Sequence, residues 1–176
     1  MAASDRVPST SIMKKRTHDA TSTGDREVVV ARVFDAPREL VWKAWVDPQQ
    51  LVRWWGPRGF TTTVHEIDLR PGGVWRHTMH GPDGTDYPAD CVFIEVVKPE
   101  RIVYSLRGGR KGDPVSHFQT TWTFEAQGDK TKLTLRMVSP SVEALEHDVK
   151  KYGVIEGGNQ TLERLAEHIA RMSAVG

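Results

Sequence analysis

The chain has 176 residues, 24 Lys and Arg against 23 Asp and Glu, a net charge of +1, and one cysteine, Cys91. Near-neutrality gives no electrostatic case for a nucleic-acid or anionic-membrane partner, and one cysteine excludes an intramolecular disulfide and a four-cysteine metal site. No apolar run reaches the ~18 residues of a membrane-spanning helix and no apolar leader opens the chain, so the default expectation is a cytoplasmic protein without membrane insertion, long enough to bury a core.

Residues 1–24 are rich in Ser, Thr, Ala and charge and poor in large apolar side chains. Such a stretch cannot offset the entropy of being ordered, so a disordered tail is expected before a single domain over 25–174. Lys14-Lys15-Arg16 reads either as solvated charge or as a small basic address, and Met13 is an alternative start.

Arg26 to Phe34 is a β-branched run of strand length. Asp35-Ala36-Pro37 stops it and opens a helix, with Asp near the cap and Pro in the first turn. Leu40, Val41, Ala44 and Trp45 recur at helical spacing, and Asp47-Pro48 then starts a second short helix, Gln49 to Trp54. From Phe60 the period changes to two. Strands are expected over 61–69, 74–80, 87–97, 101–106, 117–125 and 132–138, parted by Gly-, Pro- and Asp-rich turns short enough to force antiparallel pairing. Ser139-Pro140 opens a helical segment in which Val142, Leu145, Val149 and Tyr152 share a face.

The last thirty residues organise the rest. Wound at about 3.6 residues per turn, Ile155, Gly158, Leu162, Leu165, Ala166 and Ile169 form one stripe, with Glu163, Arg164, Glu167 and Arg171 opposite. The predicted architecture is α+β, a helix-grip fold: a curved antiparallel sheet of about seven strands wrapped around a long C-terminal helix, with two short helices after the first strand. Gly158 leaves a gap on the apolar stripe, with Asn159 at its edge. That gap reads either as a cavity over the sheet or as a close approach of the helix backbone.

Four phrases carry a family likeness: residues 53–60 (RWWGPRGF), 66–76 (EIDLRPGGVWR), 99–104 (PERIVY) and 156–168 (EGGNQTLERLAEH). They resemble the START-related helix-grip (SRPBCC) superfamily and, within it, the family named after the activator of Hsp90 ATPase, in its stand-alone bacterial form. The resemblance covers about residues 26–172 and implies the helix-grip fold. That superfamily includes lipid carriers, polyketide cyclases and aromatases, hormone- and allergen-type binders and co-chaperone domains. Many relatives carry Trp where this chain has Gly158.

Trp54 and Trp55, with Phe60, form the most conspicuous aromatic cluster, either core packing or the mouth of an apolar pocket. Alternation along 74–80 puts Trp75, His77 and Met79 on one face, the inner one, and Arg76, Thr78 and His80 on the other. His77 there is either a hydrogen-bonded core residue or an acid–base group. His77 and His80 point to opposite faces, as do His65 and Asp68, and no HExxH or CxxC spacing exists, so no metal is expected. No P-loop, dinucleotide fingerprint or nucleophile elbow is present, so no cofactor is expected. The Gly108 to Gly112 loop joins two strands and reads as a mobile hairpin that gates a pocket. Cys91 reads as an inert buried thiol, and Asp90, Glu95, Glu66 and Asp68 as strand carboxylates.

The function expected is binding of a small hydrophobic or amphipathic molecule between the sheet and the closing helix, with Trp54, Trp55, Phe60, Trp75, His77, Met79, Gly158, Asn159 and Leu162 as candidate contacts. Two alternatives stand beside it: a cyclase- or hydrolase-type enzyme using His77 in the same cavity, and a module interacting with an Hsp90-type chaperone. The expected assembly is a monomer or weak dimer.

Overall fold

The computed structural model describes residues 19–23 and 25–175. Its strands are β1 (Asp19–Thr23), β2 (Glu27–Phe34), β3 (Thr61–Ile67), β4 (Val74–His80), β5 (Asp86–Val97), β6 (Arg101–Gly108), β7 (Ser116–Gln127) and β8 (Lys130–Val138). The helices are α1 (Arg38–Val46), α2 (Pro48–Leu51), α3 (Val142–Tyr152) and α4 (Val154–Val175). One curved sheet runs in the order β1-β2-β8-β7-β6-β5-β4-β3, every neighbouring pair antiparallel. The two short helices follow β2, and the long C-terminal helix α4 packs on β2. All the strands expected from period-two patterning are present, and the α+β helix-grip architecture stands. Among the described residues no helix is long and apolar enough to cross a membrane.

One strand was not expected. Residues 19–23, assigned by composition to a disordered tail, pair along β2 from Asp19 opposite Arg32 to Thr23 opposite Val28. A strand added at a sheet edge is held by backbone hydrogen bonds, which every non-proline residue can make, so poor apolar content does not forbid it. The rest of that segment, with Met13 and Lys14-Lys15-Arg16, lies outside the described residues.

Local chemistry sets the element ends. Pro37 rather than Asp35 stands at the α1 cap position, without a side-chain hydrogen bond. Asp47 caps α2 by accepting from the Gln49 amide at 3.0 Å, and α2 ends at Leu51, short of the expected Trp54. Ser141 caps α3 through the Ala144 amide, and Gly153, at φ 61°, ends it in the left-handed region that glycine enters without a Cβ clash. Gly73 answers a close approach instead, because a Cβ there would overlap the Asp68 carbonyl.

The face of α4 opposite its apolar stripe is not simply solvated. Arg164 turns back over the loop after α2, its Nη1 donating to the carbonyls of Trp55 (3.3 Å), Gly56 (3.0 Å) and Pro57 (3.1 Å). Arg58 pairs with Glu167 at 2.6 Å and Glu163 at 3.3 Å, and its amide donates to Gln160 Oε1 at 3.1 Å. His168, 5% exposed, reaches Gln50 Oε1 at 2.7 Å. The second short helix and its loop are therefore stapled to the closing helix by side chains that include Glu163, Arg164 and Glu167, which the helical wheel placed outside.

Replacing Arg164 by Met keeps the aliphatic stem and removes four hydrogen bonds from a charged group, the three from Nη1 and a longer one from Nη2 to the Arg53 carbonyl at 3.5 Å. The expected loss in urea unfolding is about 1.5–3 kcal/mol, against less than about 1 kcal/mol for Glu163→Gln, an exposed partner of Arg58. Equal, small effects from both variants would show that the loop does not depend on the Arg164 staple.

Candidate functional site

A cavity of about 300 Å³ lies between the inner face of the sheet and the junction of α3 and α4. Its buried end is built from Trp55, His77, Tyr104, Thr120 and Trp122. Met79, Leu106, Phe118, Leu135 and Met137 continue the sheet wall, and Val154, Gly157, Gly158 and Thr161 supply the helix side. Tyr87 packs between Phe60, with ring centroids 5.5 Å apart, and Tyr152, at 6.3 Å, and these three rings form the outer part.

Of the residues named from the sequence, Trp55, Phe60, His77, Met79 and Gly158 come together around this space. Trp54, Trp75, Asn159 and Leu162 do not line it. Trp54 is fully buried and its indole N–H donates to the Ala44 carbonyl at 2.9 Å. Trp75 and Leu162 are core side chains. Asn159 donates to the Ile155 carbonyl within its own helix, at 3.2 Å. Of the two adjacent tryptophans, Trp54 takes the core side and Trp55 the cavity side.

Gly158 is buried against β2 and β8, not against the strand bearing Trp75. A Cβ built there would meet Val30 at 3.4 Å, Met137 at 3.8 Å and Leu135 at 3.9 Å, ordinary contact distances. The position therefore has room for a methyl group, while a larger side chain would have to turn into the cavity.

Tyr87, Tyr104, Leu106, Phe118, Trp122 and Tyr152 were missed. The alternation that placed His77 and Met79 also marks Tyr104 and Leu106 in β6 and Phe118, Thr120 and Trp122 in β7, whose side chains face the same way. Tyr152 needed the fold, since its contact with Tyr87 of β5 joins elements far apart in the chain.

His77 is 2% exposed. Its ring stacks on Trp75, with centroids 4.2 Å apart and planes at 25°, and meets Trp55 edge-on at 5.7 Å. Its Nδ1 is buried without a hydrogen-bond partner. Burial, and secondarily the charge of His65, push the imidazole down to about 3. Tyr104 accepts a hydrogen bond from the Trp122 indole at 3.0 Å, and burial drives its phenol well above the ordinary value, so it stays protonated. Burial likewise raises the Cys91 thiol, which keeps it unreactive. Among the described residues no group of three or more His, Cys, Asp or Glu could hold a metal ion.

The glycine-rich loop between β6 and β7, expected to swing freely, is tied to the end of α3. Asp113 accepts from Lys151 Nζ at 2.9 Å and from the Tyr152 hydroxyl at 3.2 Å, and the lysine's hydrogen bond holds its carboxyl below the usual range. Just beyond the loop, Ser116 donates to the buried Asp148 at 2.7 Å. These bonds hold the loop in place beside the cavity.

The family model of activator of Hsp90 ATPase homolog 1-like proteins matches residues 35–170. Among solved structures, a Mycobacterium smegmatis protein is similar at 29% identity, with 86% of this chain and 94% of that one covered and a TM-score of 0.73. A Chromobacterium violaceum protein is similar at 26% identity, over 83% of this chain and 98% of that one, with a TM-score of 0.72. An Arthrobacter aurescens protein, 23% identical over 86% and 91% of the two chains, shares the fold with a TM-score of 0.79. A search of the curated proteins finds no match.

The neutral burial of His77 has a consequence for stability. Above pH 6.5 the imidazole is neutral in both folded and unfolded chains; between 6.5 and about 3 only the unfolded chain takes up the proton, so stability falls as pH falls through that window. The slope from this group approaches roughly 1.4 kcal/mol per pH unit. Wild type should therefore lose more stability than His77→Phe between pH 7 and pH 5 in urea titrations. Parallel losses in the two proteins would show that the fold does not hold this histidine neutral.

Proposed function

Because the chain belongs to the activator of Hsp90 ATPase homolog 1-like family, whose fold supports a ligand-binding domain in general terms, we propose that it binds a small hydrophobic or amphipathic molecule in the cavity between the sheet and α4. The observation that carries this reading is the cavity itself, about 300 Å³ with walls that are chiefly aromatic and aliphatic. Ligand pockets span roughly 300–1,000 Å³ and are apolar with a few placed polar groups, so the space suits a compact molecule better than a long lipid. Turnover through His77 is less well supported, since a group whose conjugate acid lies near 3 is a poor base at neutral pH.

Titration with flavonoids, aromatic polyketides and fatty acids, read by tryptophan emission, tests the proposal, because Trp55 forms part of the wall. Binding is expected in wild type and in Gly158→Ala, which should also gain about 0.5–1 kcal/mol of stability from a better helix former. Gly158→Trp should fold and lose binding as its ring fills the space; where the ring cannot turn inward, overpacking costs about 1–3 kcal/mol instead. Silence across the panel in wild type would sink the binding reading and bring a protein-interaction role forward.

A further inference from the structure

We propose that the cavity selects an uncharged, flat aromatic molecule of two or three fused rings bearing a hydroxyl, seated with that hydroxyl on the His77 imidazole and its rings among Trp55, Tyr104 and Trp122. This rests on the binding reading above and narrows it to a class of ligand.

The argument starts from which polar groups around the cavity are already committed. Thr161 Oγ1 donates to the Gly157 carbonyl at 2.8 Å, Ser116 to Asp148 at 2.7 Å, and Tyr152 to Asp113 at 3.2 Å. The Tyr104 hydroxyl accepts the Trp122 indole N–H at 3.0 Å. His77 and Thr120 remain: both line the cavity, at 2% and 3% exposed, and no side-chain hydrogen bond is found for either among the described residues. Of the two, His77 is the one whose ring, set between Trp75 and Trp55, is a flat partner for an aromatic ligand. Leaving a buried polar group unpaired is costly, and buried side-chain polar atoms ordinarily have a partner. The stack on Trp75 and the edge contact with Trp55 fix the ring's plane, so a ligand has to approach the imidazole as it stands; it cannot relieve the unpaired Nδ1 but can pair the other nitrogen. Nδ1 is sealed inside the protein, which leaves Nε2 as the nitrogen that a cavity ligand can meet.

Charge and shape narrow the ligand further. Lys151 is the single charged side chain in the lining; it is exposed and already neutralised by Asp113 at 2.9 Å. A carboxylate or phosphate seated at the buried end would be desolvated with no cation to pair it, a cost that neutral molecules avoid. A neutral imidazole offers one N–H donor and one bare nitrogen acceptor, and a hydroxyl can donate to the second or accept from the first, so it pairs with Nε2 in either tautomer. Aromatic walls favour flat rings through offset and edge contacts.

Calorimetric titration of the full chain near pH 7.5 with 2-naphthol, naphthalene and 2-naphthoate tests the assignment. These probes share a ring system and differ only in carrying a hydroxyl, nothing, or a charge. About tenfold tighter binding of 2-naphthol than of naphthalene is expected, the effect of one net hydrogen bond, with 2-naphthoate no tighter than naphthalene. His77→Phe should bind 2-naphthol and naphthalene alike. On the wild-type chain, the His77 ring ¹⁵N resonances should shift with 2-naphthol and not with naphthalene, a readout that does not depend on the variant folding. Equal binding of the two neutral probes by wild type, tightest binding of 2-naphthoate, or a hydroxyl preference surviving in His77→Phe would overturn the assignment while leaving a pocket that binds. If none of the three binds and the broader panel is also silent, the binding reading itself falls.

Discussion

Trp45 is the contact on which the rest of the molecule depends. It is fully buried, and its ring meets those of Trp75 at 5.3 Å, Trp55 at 5.8 Å, Trp122 at 5.9 Å, Tyr104 at 6.2 Å and Phe93 at 6.5 Å. Its partners come from the loop after α2 and from β4, β5, β6 and β7, so one side chain from a short helix joins four strands. Edge-to-face ring pairs add about 0.5–1.5 kcal/mol each beyond their buried area. A helix as short as α1 has little stability of its own; its anchor is this indole. All six tryptophans of the chain are buried, an aromatic density that fills one end of the sheet's concave face.

The other end is filled differently, and that difference makes the cavity. Along α4 the residues facing the sheet change from Leu162, Leu165 and Ile169 to Gly157, Gly158 and Thr161 toward its start. Large side chains close the space beneath the helix where Trp45 sits, and small ones leave it open near α3. Trp55, Tyr104 and Trp122 belong to both regions, packed in the aromatic cluster on one side and bare toward the cavity on the other. The hollow is thus walled by side chains the core already holds rigid, the condition for a preformed site.

Patterning made the strands and the closing helix legible because burial on one face imposes a period: two along β4, about 3.6 along α4. It placed His77 and Met79 inward correctly and would have placed Tyr104 and Trp122 too, had the rule been carried across every strand. It failed at β1, where pairing is a matter of backbone at an open edge and leaves no mark in side-chain chemistry. Arg164 failed for another reason. On the helical wheel it is one more charged residue on the outer side, and nothing local to it announces three carbonyls about a hundred positions earlier in the chain. Long-range polar contacts have no period, so they enter only once the fold has brought their ends together.

Those contacts explain how an apolar cavity can hold a definite shape. The Trp55 carbonyl accepts from Arg164 at 3.3 Å and from the Thr62 hydroxyl at 3.0 Å, so the backbone beneath the cavity's main indole is pinned by α4 and by β3 at once. On the opposite side, Asp113 ties the β6–β7 loop to Lys151 and Tyr152. In both places the hydrogen bonds lie outside the hollow while the rings they position face into it. Apolar contact alone is non-directional and fixes volume better than orientation; hydrogen bonds behind the wall supply the direction. That division leaves few polar groups at the buried end: the Tyr104 hydroxyl already holds the Trp122 indole, and the His77 imidazole and the Thr120 hydroxyl remain, so these two have more influence on what fits than they would in a pocket lined with many competing donors.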